Sequence, residues 1–172
     1  MKRILTVSTM AAAILPFTVL AAPTAGTQEI TLSGAGSSDR DFDSTLLNVQ
    51  GSWGQYLSES SLWGVRQLVT VFKTKGESTK FQGATRFFYD YHFYGTEYMR
   101  PFVGVSIGGI YGDDVSDSFM AGPEVGVKYW LNDSTFVTGM VEYSFLFKND
   151  KGIDNNYDKG TFFYSLGLGY NF

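Results

Sequence analysis

The chain of 172 residues is 44% hydrophobic and 17% aromatic but only 17% charged, with a formal charge of −4, 20 Gly and no Cys. That length sets one domain of ordinary size, and so much aromatic surface excludes a disordered chain. The missing cysteines exclude a disulfide framework and thiolate-held metal or iron–sulfur centres, and the acidic balance gives no sign of a nucleic-acid partner.

Met1 to Ala21 reads as a secretory signal peptide. Lys2 and Arg3 supply the charged start, Ile4 to Leu20 the apolar run, and Val19-Leu20-Ala21 the small-residue cleavage chemistry, with the cut expected between Ala21 and Ala22. Ser8, Thr9, Pro16 and Thr18 interrupt the run, which favours removal over a retained anchor. No Cys follows it, so a lipoprotein is excluded. Residues 22–172 then form the mature domain. They contain no run of ~18 apolar residues that a transmembrane helix would need.

From Gln28 onward the dominant hydrophobic period is two, the signature of strands exposed differently on two faces. The first segment, Gln28 to Gly36, sets Ile30 and Leu32 against Glu29, Thr31 and Ser33. The second, Thr45 to Leu57, sets Leu47, Val49 and Trp53 against Asn48, Gln50 and Ser52. In the third, Trp63, Val65, Val69 and Val71 oppose Gly64, Arg66 and Thr70. Leu62, Val65, Val69 and Phe72 also make a helical stripe there, and β-branched content decides for a strand. The fourth sets Phe81, Phe87, Tyr89, Tyr91 and Phe93 against Lys80, Gln82, Arg86, Asp90 and His92. Val103, Val105 and Ile107 alternate with glycine and serine in the fifth, and Phe119, Val125, Val127 and Tyr129 oppose Gly122, Glu124, Gly126 and Lys128 in the sixth. The seventh sets Val137, Val141, Tyr143 and Phe145 against Thr138, Glu142 and Ser144. The last sets Phe162, Tyr164, Leu166, Leu168, Tyr170 and Phe172 against Thr161, Ser165, Gly167, Gly169 and Asn171.

Each segment has the ~9–13 residues that a tilted strand needs to cross a bilayer. Three connections are compact turns (58–61, 94–97, 132–134), and four are longer or more charged (37–43, 73–78, 113–117, 148–159). Short turns at one end and longer loops at the other, with an even strand count, describe an all-β, eight-stranded, antiparallel up-and-down transmembrane β-barrel with both termini periplasmic. A soluble barrel would have to force the bulky residues into a narrow interior, so they are expected to face lipid. Aromatic girdles are expected from Trp53, Tyr56, Trp63, Tyr91, Tyr129 and Tyr170 near the turns, and from Tyr111, Phe119, Phe147 and Phe162 near the loops. Lipid offers no hydrogen bonds, so the backbone of every strand should pair, and Pro101 and Pro123 should fall near strand ends or bulges.

Tyr164, Leu166, Leu168, Tyr170 and the terminal Phe172 resemble the C-terminal signal that the bacterial barrel-assembly machinery recognises. With the strand-like stretches 101–106 and 121–129, the mature chain resembles the small outer-membrane β-barrels of the OmpA/OmpX and opacity-protein type. That resemblance implies a Gram-negative outer membrane, contact with its lipids and lipopolysaccharide, and a monomer. The peptidoglycan-binding domain of full-length OmpA-type proteins is expected to be absent.

Facing inward, Arg66, Arg86 and Lys128 balance Asp90, Glu124 and Glu142, and buried charges need partners, so a salt-bridge network should fill the lumen. Counting from the turns puts Arg86, Glu124 and Glu142 near one depth and Arg66, Asp90 and Lys128 lower. A polar plug is favoured over a narrow porin-like channel, since eight strands enclose little beyond their own side chains.

A lipid-modifying barrel enzyme is the third reading. Its chemistry needs a serine beside a basic His, and His92 is the only histidine. The serine expected two residues after the His in lipid A deacylase barrels is missing, Tyr94 standing there. His92 is expected to hydrogen-bond in the lumen, and no enzymatic activity is expected. Asp154, Asn156 and Asp158 have calcium-loop spacing, but Lys159 replaces the required Gly, so no metal or other cofactor is expected. The acidic loops, Asp39 to Asp43 above all, offer a surface on which the resemblance to opacity-type and OmpX-type barrels implies a host or neighbouring-cell partner. The expected role is structural or surface-interacting.

Overall fold

The computed structural model describes residues 23–39, 43–76, 78–113, 118–147 and 160–172. The signal segment 1–21 and the calcium-like spacing at 154–158 lie outside them. Eight strands follow one another: β1 (Gln28–Ser38), β2 (Ser44–Tyr56), β3 (Ser61–Thr74), β4 (Lys80–His92), β5 (Met99–Gly112), β6 (Ser118–Trp130), β7 (Thr135–Phe147) and β8 (Gly160–Asn171). Each pairs antiparallel with its chain neighbour, and β1 pairs with β8 to close the barrel. The helical alternative for 62–72 gives way to β3, which is paired with β2 from Ser61's neighbour Leu62 to Thr74.

The short turns are made by side chains suited to them. The Ser58 hydroxyl accepts from the backbone N–H of Ser60 and Ser61 at 3.3 and 3.1 Å. The Asn132 carbonyl oxygen accepts from Ser134 and Thr135 at 3.0 and 2.8 Å, an Asx turn that reverses the chain between β6 and β7.

Alternation sorts the side chains as the pleat requires. Ile30, Leu32, Val49, Trp53, Phe87, Val105, Val125 and Leu168 are among a continuous set of exposed apolar residues on the outer wall. Nine of the ten girdle residues are exposed with them. Tyr56 is the exception: it is 1% exposed and faces inward. Its phase along β2 is that of Gln50 and Ser52, six and four residues away, and not that of Trp53.

The interior is also more apolar than expected. Tyr56, Leu62, Phe102, Trp130 and Phe136 are buried at the turn end, and Phe88, Met120 and Met140 higher up. Each such burial stabilises by about 1.5–3 kcal/mol. Room for them comes from glycine on adjoining strands. A Cβ on Gly64 would collide with the Phe88 ring and the Trp53 carbonyl.

Two backbone features depart from the sequence reading. Pro123 is neither at a strand end nor at a bulge. The β6–β7 ladder lapses over Gly122 and Pro123, where a donor is missing, and resumes in the same register at Glu124–Glu142. Pro101 lies near the start of β5. The β1–β8 ladder covers only Glu29–Asn171 to Ser33–Gly167, so strand pairing is incomplete on one seam.

Candidate functional site

The β3–β4 register sets Arg66 directly opposite Arg86, and the β6–β7 register sets Glu124 directly opposite Glu142. Like charges on neighbouring strands repel. The attraction that offsets them runs across the barrel. Arg66 donates from Nη1 and Nη2 to the two Glu124 oxygens at 2.9 and 3.0 Å, a bidentate pair, and from Nη1 to Glu142 at 3.5 Å. Arg86 donates from Nη1 to Glu142 Oε1 and from Nη2 to Gln50 Oε1 at 3.3 Å. Ser106 and Ser144 hydroxyls also donate to Glu142 Oε1, at 2.8 and 2.6 Å. Glu142 is wholly buried and Arg86 is 1% exposed.

Nearer the turns, Lys128 donates to both Glu29 oxygens at 2.7 Å and to the Tyr56 hydroxyl at 3.2 Å. Tyr56 in turn donates to Glu29 at 3.1 Å. The Lys128 ammonium also stands 5.0 Å from the Phe136 ring centroid and 5.8 Å from that of Phe102. Aromatic faces thus complete the cation's surroundings where water is excluded.

The structure therefore places Arg66 level with Glu124, and not in a lower layer with Lys128. Strand stagger accounts for the difference, because depth counted along one strand shifts against the next. Asp90 makes no ion pair among the described residues. Its carboxyl adjoins that of Glu124, and its Oδ1 has no hydrogen-bond partner. A Cβ on Gly104 would occupy the place of that oxygen, so only glycine there admits Asp90. His92 is packed between the rings of Tyr56 and Phe102, at 5.6 and 5.3 Å, and neither ring nitrogen has a hydrogen-bond partner among the described residues. The expected lumen hydrogen bond of His92 is not made; apolar packing holds the ring instead.

Glu29 is the functional residue that sequence reasoning left out of the network. Its phase with Thr31 and Ser33 already marked it as inward. With it, the described lumen holds four carboxyls against three cations. At the other end of the chain Tyr164, Leu166, Leu168 and Tyr170 point outward and are exposed. The backbones of Phe172 and Gln28 exchange hydrogen bonds of 2.9 Å, which pin the last residue to β1.

No protein-family model matches the chain, and no curated protein matches it. Solved structures do. The N-terminal β-barrel domain of Pseudomonas aeruginosa OprF is 20% identical, with a TM-score of 0.52, over 87% of this chain and 100% of that one. Neisserial surface protein A is 15% identical, with a TM-score of 0.56, over 85% of this chain and 96% of that one. The outer membrane protein OprG of P. aeruginosa is 16% identical, with a TM-score of 0.52, over 87% of this chain and 97% of that one. At such identities the likeness is one of architecture. With its closed antiparallel sheet, its exposed apolar wall and its charged interior, the chain has the fold of the small eight-stranded outer-membrane β-barrels.

Proposed function

We propose that the chain is an integral protein of a Gram-negative outer membrane whose lumen is sealed at mid-depth, with a structural or surface-interacting role and no catalytic one. The cross-lumen network carries this reading. Arg66, Arg86, Glu124 and Glu142 tie facing walls together, and Tyr56, Leu62, Phe102, Trp130 and Phe136 close the turn end beneath them. The cavity left among Glu29, Gln50, Arg66, Asp90 and Lys128 is about 30 Å³, room for about two water molecules at most. Such a space conducts nothing hydrated.

The outer wall supports the membrane placement. Its apolar residues are too many and too continuous for a monomer in water. Facing lipid, they need no partner. The short-turn end is then periplasmic, and Tyr164, Leu166, Leu168, Tyr170 and Phe172 are presented to the barrel-assembly machinery during insertion. Outside, Asp43 pairs with Lys75 at 2.9 Å and the Asp113 carboxylate accepts from the Phe81 N–H at 3.0 Å, at the base of the loops that would meet a surface partner.

The test is a planar-bilayer recording of the refolded protein beside its migration in SDS with and without boiling. A heat-dependent band shift without discrete conductance steps is expected. Conductance steps would overturn the sealed lumen in favour of a narrow channel. A protein that shows no shift and fractionates as soluble would overturn the membrane placement.

A further inference from the structure

β1 and β8 are joined over only the turn-side half of their length. Their ladder stops at Ser33–Gly167, although the same register continued would bring Gly34 to Leu166 and Ser38 to Phe162. Neither strand is frayed. β1 remains paired to β2 as far as Ser38–Thr45, and β8 to β7 as far as Phe145–Gly160. Gly34, Ala35 and Gly36 carry almost no side chain to fill the gap, and residues 34–38 are all exposed. On the facing strand Tyr164 and Leu166 are 74% and 68% exposed. The wall has a slot on its long-loop half.

Behind the slot lies a cavity of about 130 Å³, bounded by Ala35, Gln50, Met140, Glu142 and Ser165. It shares Asn48, Leu68, Thr70 and Phe163 with a second cavity of about 220 Å³. Leu46, Phe72, Ala84, Ile110 and Met120 make that second space largely apolar. An apolar cavity of ~150 Å³ already admits benzene. Arg86 and Glu142 border these spaces with their charges paired to each other, and among the described residues the Arg86 Nε–H alone of that pair is without a partner.

In a bilayer, strand edges left without a partner are strongly disfavoured, because lipid offers their backbone groups no hydrogen bonds. The slot therefore asks for a ligand that both donates and accepts hydrogen bonds at its mouth and carries a hydrocarbon chain for the space within. We propose that the β1–β8 slot and the cavities behind it form a lateral binding site for a single-chain amphiphile with an uncharged, hydroxyl-bearing head, entering from the membrane. The head lies between the edges of 34–38 and 160–166, near Gln50 and Ser165, and the chain reaches Leu68, Met120 and Phe163. The site rests on the membrane placement proposed above.

The absence of cysteine makes a direct test available. Ala35→Cys with Ser165→Cys places two thiols on inward positions that face each other in the continued register, so oxidation closes the slot and reduction reopens it. The probe is a monolauroylglycerol with a photoactivatable diazirine at the chain end, added to the protein in phosphatidylcholine vesicles. Crosslinks are expected on Leu68, Met120 or Phe163 in the reduced protein, at least tenfold fewer after oxidation and restored by reductant. Ala84→Phe, which fills the inner cavity without touching the slot, is expected to give the same fall. Crosslinks confined to outward residues such as Leu32, Tyr164 and Leu166, or inner crosslinks insensitive to oxidation, would overturn the site. Heat-modifiability of the same vesicle samples reads the membrane placement separately: a shifted band with outward crosslinks alone defeats the slot and spares the barrel.

Discussion

Replacing Glu142 by alanine removes the carboxylate on which Arg66, Arg86, Ser106 and Ser144 converge. Arg86 then keeps only Gln50, at 3.3 Å, while remaining almost wholly enclosed. Removing one partner of a buried pair costs about 3–5 kcal/mol, because the other charge stays desolvated. The two hydroxyl bonds add about 1 kcal/mol each, part of which overlaps that figure. A loss of about 4 kcal/mol is expected for Glu142→Ala. With a urea slope of about 2 kcal/mol/M, the unfolding midpoint should fall by about 2 M, read from tryptophan fluorescence in vesicles. The double variant Glu142→Met, Arg86→Met removes both charges and leaves the Arg66–Glu124 pair intact, so it should lie within about 1.5 kcal/mol of the parent. A Glu142→Ala loss under about 0.5 kcal/mol would refute the argument from stranded charge. So would a double variant as unstable as the sum of its singles, since that would make the two contributions independent.

Three further outcomes follow from the same geometry. Lys128→Met leaves Glu29 with only the Tyr56 hydroxyl and should cost about 3 kcal/mol, with a midpoint shift that added salt does not alter, whereas Lys75→Ala at the exposed Asp43 pair should cost less than about 1 kcal/mol. Gly64→Val drives side-chain atoms into the Phe88 ring and should lower stability by about 1–3 kcal/mol in the same urea titration. Phe172→Ala should reduce the fraction of heat-modifiable protein recovered from outer membranes while leaving the midpoint of the purified folded form within about 1 kcal/mol; equal recovery would remove Phe172 from the assembly signal.

The barrel was legible because alternation is a local property. Whether Val125 and Glu124 lie on opposite faces depends only on their being neighbours in a strand. Depth is not local. Which residue meets Arg66 across the lumen depends on the stagger accumulated over several strands, so Glu124 could be placed inside but not at the right level. Glu29 illustrates a different gap. Its inward phase was visible, but its partner Lys128 lies 99 residues away and nothing near Glu29 announces it. Tyr56 lies near a turn, as a girdle residue would, but its phase along β2 turns it inward. The open half of the β1–β8 seam had no sequence signal at all beyond three small residues, since incomplete pairing is a relation between the two ends of the chain.

The two like-charge pairs on adjoining strands bear on how the chain reaches this structure. Arg66 and Arg86 come together when the β3–β4 hairpin forms, and Glu124 and Glu142 when β6–β7 forms. Either hairpin alone sets two like charges directly side by side. Their neutralising contacts join residues 58 and 56 positions apart, and become available only once both hairpins face each other. Partial assemblies are therefore held back by repulsion that the finished ring abolishes. Contacts made so late contribute little to the folding transition state and mainly slow unfolding. The network thus acts as a kinetic lock, and its loss should show first in the lifetime of the inserted protein.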